Sequence, residues 1–154
     1  AVTMAPRLTQ YLDKARQASD QEVVNTIYTA AKLADISNPI KDDKSIPLGS
    51  KNTTGVFKVS DDGKTWTLNE SSSISDTDGF TKEFFVELMK TIDSFTLKST
   101  DVEKATSNKV ETQIYIGKKN NQVYVVLDYN GDGKYDYKVP DHVTTHFETA
   151  STGG

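Results

Sequence analysis

The residues best placed to do chemistry lie in the stretch DYNGDGKYD, residues 128–136. Asp128, Asn130 and Asp132 alternate, Gly133 follows, and Asp136 closes the run. Calcium takes six to eight oxygen ligands. A short loop supplies them by curling the side chains at positions 1, 3, 5 and 9 round one point, with a glycine at position 6 for the sharp turn. The backbone carbonyl of Lys134 offers a further ligand. Position 12 is Val139, where a helical calcium loop carries a bidentate acid, and the flanks read as strands. Asp141 lies two residues late and reaches the ion only if the chain bends at Pro140. The other reading of the stretch is a hairpin whose Asn-Gly and Asp-Gly pairs make a tight turn.

His142 and His146 stand four apart, near Asp141 and Glu148. That spacing puts both imidazoles on one face and suits a transition metal. Val143-Thr144-Thr145 between them is β-prone and nothing else completes a site, so solvated tail histidines are the plainer reading. Trp66, the single tryptophan, reads as sheet packing. With Tyr124, Tyr129, Tyr135 and Tyr137 it also permits a ligand platform. Asn52-Thr53-Thr54 and Asn69-Glu70-Ser71 match the glycosylation acceptor pattern, a short pattern that often arises by chance. No glycine-rich phosphate loop or nucleophile elbow is present, cysteine is absent, and no spacing singles out a catalytic pair among 22 acids. The chain therefore reads as a non-enzyme.

These residues must be positioned by one domain. At 154 residues the chain suffices for a single core. A net charge of -4 argues against a nucleic-acid-binding surface as the dominant feature. From Pro6 to Ala34 apolar or small residues recur at Leu8, Tyr11, Leu12, Ala15, Ser19, Val23, Ile27, Ala30, Ala31 and Ala34, in steps of three and four. This predicts one amphipathic helix of about 40 Å, with Lys14, Arg16, Asp20, Gln21 and Lys32 mostly off the stripe. The stripe is rich in alanine, as suits something flatter than a second helix. Residues 35–79 read as a connecting loop region with short strands at Val56–Val59 and Thr65–Leu68. A shorter helix is expected over 80–93, on Phe84, Phe85, Leu88, Met89 and Ile92. The sheet is expected over 94–141, in strands Phe95–Lys98, Lys109–Ile116, Gln122–Tyr129 and Lys134–Val139. Residues 142–154 read as a fraying polar tail. The fold class is α+β: a long N-terminal helix on a three- to four-stranded antiparallel sheet, with a second short helix.

The stretch MAPRLTQYLDKARQASDQEVVNTIYTAAKLA, residues 4–34, resembles the helical region of type IV pilins and pseudopilins just beyond their membrane-spanning half. The likeness is nearest to pilins of Gram-positive, clostridia-like bacteria. It rests on the proline, the TQYLDKA segment and the paired alanines, over about a fifth of the chain. The family's prepilin cleavage site and glutamate-bearing apolar stretch are not among these residues. The resemblance implies a pilin-like fold and a structural subunit of an extracellular cell-surface filament, serving adhesion, motility or attachment. Its partners would be identical or related pilin subunits and an assembly machinery, and its precursor would insert in the cytoplasmic membrane. The helix would bury its stripe (Leu8, Tyr11, Leu12, Ala15, Val23, Ile27, Ala31) against its own sheet and turn its other face to neighbouring subunits. The loop at residues 128–136 also resembles the calcium loop of dockerin modules, which implies a Ca2+ cofactor; major pseudopilins of secretion systems bind calcium too. Alternatives are a pseudopilin of a type II secretion or DNA-uptake machine, and a free calcium-dependent carbohydrate- or surface-binding module. Exposed aromatics beside the loop would favour the module, and a protruding helix the pilin.

Overall fold

No glycine or proline interrupts the chain between Arg7 and Ser37. In the computed structural model, which describes residues 6–150, this run forms one helix, α1 (Pro6–Ser37). Pro6 sits at its first residue, where an N–H would lack a partner anyway. The helix ends ahead of Pro39, whose ring disfavours helical geometry in the preceding residue, and the Asp35 carboxylate accepts the Ile40 N–H at 2.8 Å. The expected end at Ala34 thus falls three residues short. Expectations for Ala1–Ala5 and for residues 151–154 lie outside the described residues.

The other elements are β1 (Lys44–Pro47), β2 (Gly49–Ser50), β3 (Phe57–Val59), β4 (Thr65–Leu68), a 3-10 turn (Ser71–Ser73), α2 (Lys82–Thr91), β5 (Phe95–Thr96), α3 (Thr100–Ser107), β6 (Gln113–Lys119), β7 (Gln122–Asp128), β8 (Lys134–Tyr135), β9 (Tyr137–Val139) and β10 (Glu148–Thr149). One antiparallel sheet has the order β1-β6-β7-β9. Its β6–β7 hairpin turns on Asn120 and Asn121, both at positive φ (51° and 62°), the geometry that matches strand twist in a two-residue loop. A second sheet, β2-β3-β4-β5, is antiparallel except between β2 and β3. β8 and β10 pair in parallel. The class is α+β with the long helix on an antiparallel sheet.

α1 packs on β6, β7 and β9 and against α2. Val24, Ile27, Ala30, Ala31 and Ala34 are buried there, and the small alanines let the sheet approach closely. α2 begins at Thr81, whose hydroxyl accepts the Phe84 N–H at 3.1 Å; such a cap is worth about 1 kcal/mol. It buries Phe84, Phe85 and Leu88. Trp66 is fully buried in the second sheet, edge-on to Phe57 and stacked on Phe95, so it belongs to the core.

Several expectations need correction. The stripe of α1 buries only in its C-terminal half: Ile27 and Ala31 are buried, Val23 and Leu12 half-buried, and Leu8, Tyr11 and Ala15 exposed. No residue from Leu8 to Ser19 is buried. Asp20, placed off the stripe by periodicity, is fully buried. Residues 35–51 hold β1 and β2 as well as loop. The strand Lys134–Val139 breaks at Asp136, whose N–H donates to the Leu127 carbonyl at 2.8 Å. The tail is no frayed end within the described residues: Val143 and Thr145 are buried, Phe147 packs on Tyr115, and β10 pairs with β8.

That tail explains why β7 is buried on both faces. Val123, Val125 and Leu127 face the main core, whereas Tyr124 and Val126 form a small second core with Val143, Tyr115, Tyr135 and Phe147. Gly117 is the cross-strand partner of Tyr124, and a Cβ there would overlap the tyrosine ring. The ring cannot swing clear, because its hydroxyl is held by His146 Nδ1. Gly117→Ala is therefore expected to destabilise by about 1–3 kcal/mol, read as a lowered midpoint in urea. An unchanged midpoint would show that the tail yields freely.

Candidate functional site

The loop that follows β7 is built round one carboxylate. Asp128 ends the strand at 1% exposure. Its Oδ1 accepts the Gly131 N–H at 3.0 Å and its Oδ2 accepts the Gly133 N–H at 3.1 Å. Both glycines have positive φ (65° and 78°), which side-chain-bearing residues adopt at a cost. The chain can thus fold back over Asp128. Asp132 Oδ1 accepts the Lys134 N–H at 2.9 Å, and Asp136 Oδ2 accepts the Tyr129 N–H at 2.8 Å.

The side-chain amide of Asn130 lies 3.0 and 3.2 Å from the two Asp132 oxygens and 3.2 Å from Asp128 Oδ1. With its NH2 group toward them the amide donates to all three. That orientation accounts for the arrangement without an ion. The carboxylates of Asp128 and Asp132 are donors of the kind a hard cation such as calcium takes, and the Asn130 oxygen would join them only with the amide turned round. Among the described residues no three His, Cys, Asp or Glu side chains gather at one point. The rest of a calcium shell would come from Asp136, the Lys134 carbonyl and water.

Burial pushes the Asp128 carboxyl up to about 6, helped by the charges of Asp132 and Asp136 and opposed by the Gly133 and Gly131 N–H groups. Asp136, whose side chain is exposed at the loop surface, is raised as well, by partial desolvation and the charges of Asp132 and Asp101 and against the Tyr129 N–H. In the absence of a cation, the folded chain holds a proton on Asp128 between about pH 4 and 6 that the unfolded chain releases. Stability contributed by this group should therefore fall as pH rises through that window, by about 3 kcal/mol at most. Urea denaturation in chelator between pH 4.5 and 7 should show the decline, and Asp128→Asn should remove it. An equal slope in both proteins would contradict the assignment.

The two histidines do not form a pair. His142 is exposed, 3.8 Å from Asp141, whereas His146 Nε2 lies 2.9 Å from Asp43 Oδ1 and its Nδ1 meets the Tyr124 hydroxyl. His146 also holds Asp43 below the usual carboxylate range. It fastens the tail to the sheet. Of the tyrosines, Tyr124 and Tyr129 are buried, and Tyr135 and Tyr137 are half-buried. Tyr129 donates to Asp20 at 2.8 Å and Tyr137 to Asn25 at 2.7 Å. They form no exposed aromatic platform.

No family model, curated protein or solved structure matches the chain. The site therefore has to be read from its own geometry and from the surface the fold leaves uncovered.

That surface is concentrated on α1. Leu8, Tyr11, Leu33 and Ile36 are 49%, 70%, 57% and 76% exposed. Ala15, Ala18, Glu22, Thr26 and Thr29 lie between them and are exposed as well. At 100° per residue all nine fall within an arc of about 80°. The Thr26 and Thr29 hydroxyls donate back to the Glu22 and Asn25 carbonyls at 3.0 and 3.2 Å, which leaves their methyls outward. Glu22 is the one charge on the stripe. Sequence periodicity assigned Leu8, Tyr11 and Ala15 to the face packed on the sheet, and missed the rest of this second stripe because alanine and threonine carry little apolar signal. No helix among the described residues is long and apolar enough to cross a membrane.

Proposed function

We propose that the chain is a structural subunit of an extracellular, type IV pilin-like filament, its long helix and antiparallel sheet forming a pilin-like fold. The observation that carries this reading is the exposed stripe on α1. A helix needs burial of one face to be stable in water, yet α1 buries no residue from Leu8 to Ser19 and leaves uncovered an apolar stripe running about 42 Å from Leu8 to Ile36. Surfaces of that kind mark partner contacts. The buried tyrosines speak against a free module with an aromatic platform.

In this reading subunits pack through the stripe, and function is assembly with no turnover. A calcium ion held by Asp128, Asn130, Asp132, Asp136 and the Lys134 carbonyl ties the loop between β7 and β9. The extracellular medium, rich in calcium, would keep it loaded.

The test is immunogold electron microscopy of cells that express the chain, with antibody raised against residues 38–150. Gold aligned along thin surface filaments is expected. The double variant Tyr11→Asp/Leu33→Asp should lose the filaments and keep its melting temperature, because both side chains are exposed and such substitutions lie within about 0.5 kcal/mol. Label without filaments, or filaments that persist in the double variant, would overturn the reading.

A further inference from the structure

A cleft of about 370 Å³ opens between α1, α3 and the end of β7. Its walls carry the amides of Gln17, Gln21, Asn108 and Asn130 and the carboxylates of Asp101 and Asp136. Gln17 is fixed in place, donating to Asp101 Oδ2 at 3.1 Å. Among the described residues, the Gln21 and Asn108 amides carry no hydrogen bond and face an open space.

We propose that this cleft binds a neutral saccharide, with a calcium ion on its rim. Two carboxylates against the single cation Lys104 disfavour an anionic ligand, and the polar walls offer little to an apolar one. Planar amides and carboxylates both donate to and accept from neighbouring hydroxyls, and the volume accommodates a disaccharide. Asn130 and Asp136 belong at once to the cleft wall and to the loop, so a cation held by Asp136 would be reachable by sugar hydroxyls. Tyr129 and the half-buried Tyr137 also line the cleft, so recognition would combine hydrogen bonds with contact to a tyrosine ring. At 100° per residue Gln17 and Gln21 lie about 140° and about 100° from the centre of the Leu8–Ile36 stripe, on the flank of α1, so the cleft and the stripe are separate surfaces. The cation's part rests on the calcium reading of the loop; the cleft itself does not.

The experiment follows side-chain amide signals by 1H–15N NMR as lactose, cellobiose or mannobiose is added to millimolar levels, in calcium and in chelator. Shifts confined to the amides of Gln17, Gln21, Asn108 and Asn130 are expected in calcium. The variant Gln21→Ala/Asn108→Ala should weaken them at least tenfold, with an unchanged calcium isotherm. Shifts of equal size in chelator would support the cleft and contradict only the calcium reading. Absence of shifts in both buffers would overturn the inference. So would the same amides answering to lysine methyl ester and not to the sugars, which would make the cleft a socket for a basic side chain.

Discussion

Asp20→Ala should cost about 3–5 kcal/mol, the largest loss expected of any single substitution considered for this chain. The Asp20 carboxylate is fully buried. It accepts the Lys98 and Ser99 N–H groups at 2.7 and 3.0 Å and the Tyr129 hydroxyl at 2.8 Å. One side chain thereby joins the middle of α1 to the start of α3 and to the end of β7. Alanine would strand two buried donors, Ser99 N–H and the Tyr129 hydroxyl, and the part-buried Lys98 N–H, each buried one worth about 1–3 kcal/mol when unpaired; water entering the vacated space keeps the sum toward the low end. Against a total stability of about 5–15 kcal/mol, much of the folded margin would go. Asp20→Asn, which keeps one acceptor oxygen, should fall between the two. Urea denaturation followed by Trp66 fluorescence measures it, and a loss below about 1 kcal/mol would contradict this role.

Calcium should raise the melting temperature by about 5–10 °C. At a free concentration a hundredfold above the dissociation constant, binding to the folded state alone adds about 2.7 kcal/mol. A domain of this size gains about 2–4 °C per kcal/mol. Asp132→Ala is the informative variant. Its side chain is exposed and its bonds, from the Lys134 N–H and the Asn130 amide, are local to the loop, so its loss without calcium should be about 1 kcal/mol while the calcium effect vanishes. The shift should be larger at pH 7.5 than at pH 5, because a cation needs the Asp128 carboxyl ionised and burial holds that group up to about 6. No shift at either pH would leave residues 128–136 as a hairpin turn.

Strong periodicities made part of this fold legible. The uninterrupted run of helix formers announced α1, the Phe84-Phe85-Leu88 pattern announced α2, and the β-branched runs of β6 and β7 announced their hairpin. What stayed hidden carries weak local signals. β1 has one inward apolar residue, Ile46, in a charged run. α3 is eight residues long, and only Val102 and Ala105 bury. The tail looks like a polar end, yet it packs because Tyr124 and Val126 need cover on the outer face of the sheet. The calcium spacing was plain in the sequence, since alternation of oxygen-bearing residues is a local property. Asp20 was not, because its partner Tyr129 lies 109 residues away and only the folded chain brings them together. The exposed stripe escaped for a similar reason: periodicity finds apolar residues, and only burial tells which of them the fold leaves uncovered.

The central claim is that subunits meet through the outer face of α1. The chain has no cysteine, so Tyr11→Cys and, as control, Lys58→Cys on the exposed side of β3 each introduce a single reactive thiol. Maleimide labelling of each, in isolated subunits and in filaments sheared from cells, measures whether assembly covers the position. The account predicts that Cys at position 11 labels fully in the subunit and is strongly protected in the filament, while position 58 labels alike in both. Equal labelling of position 11 in both states would contradict it.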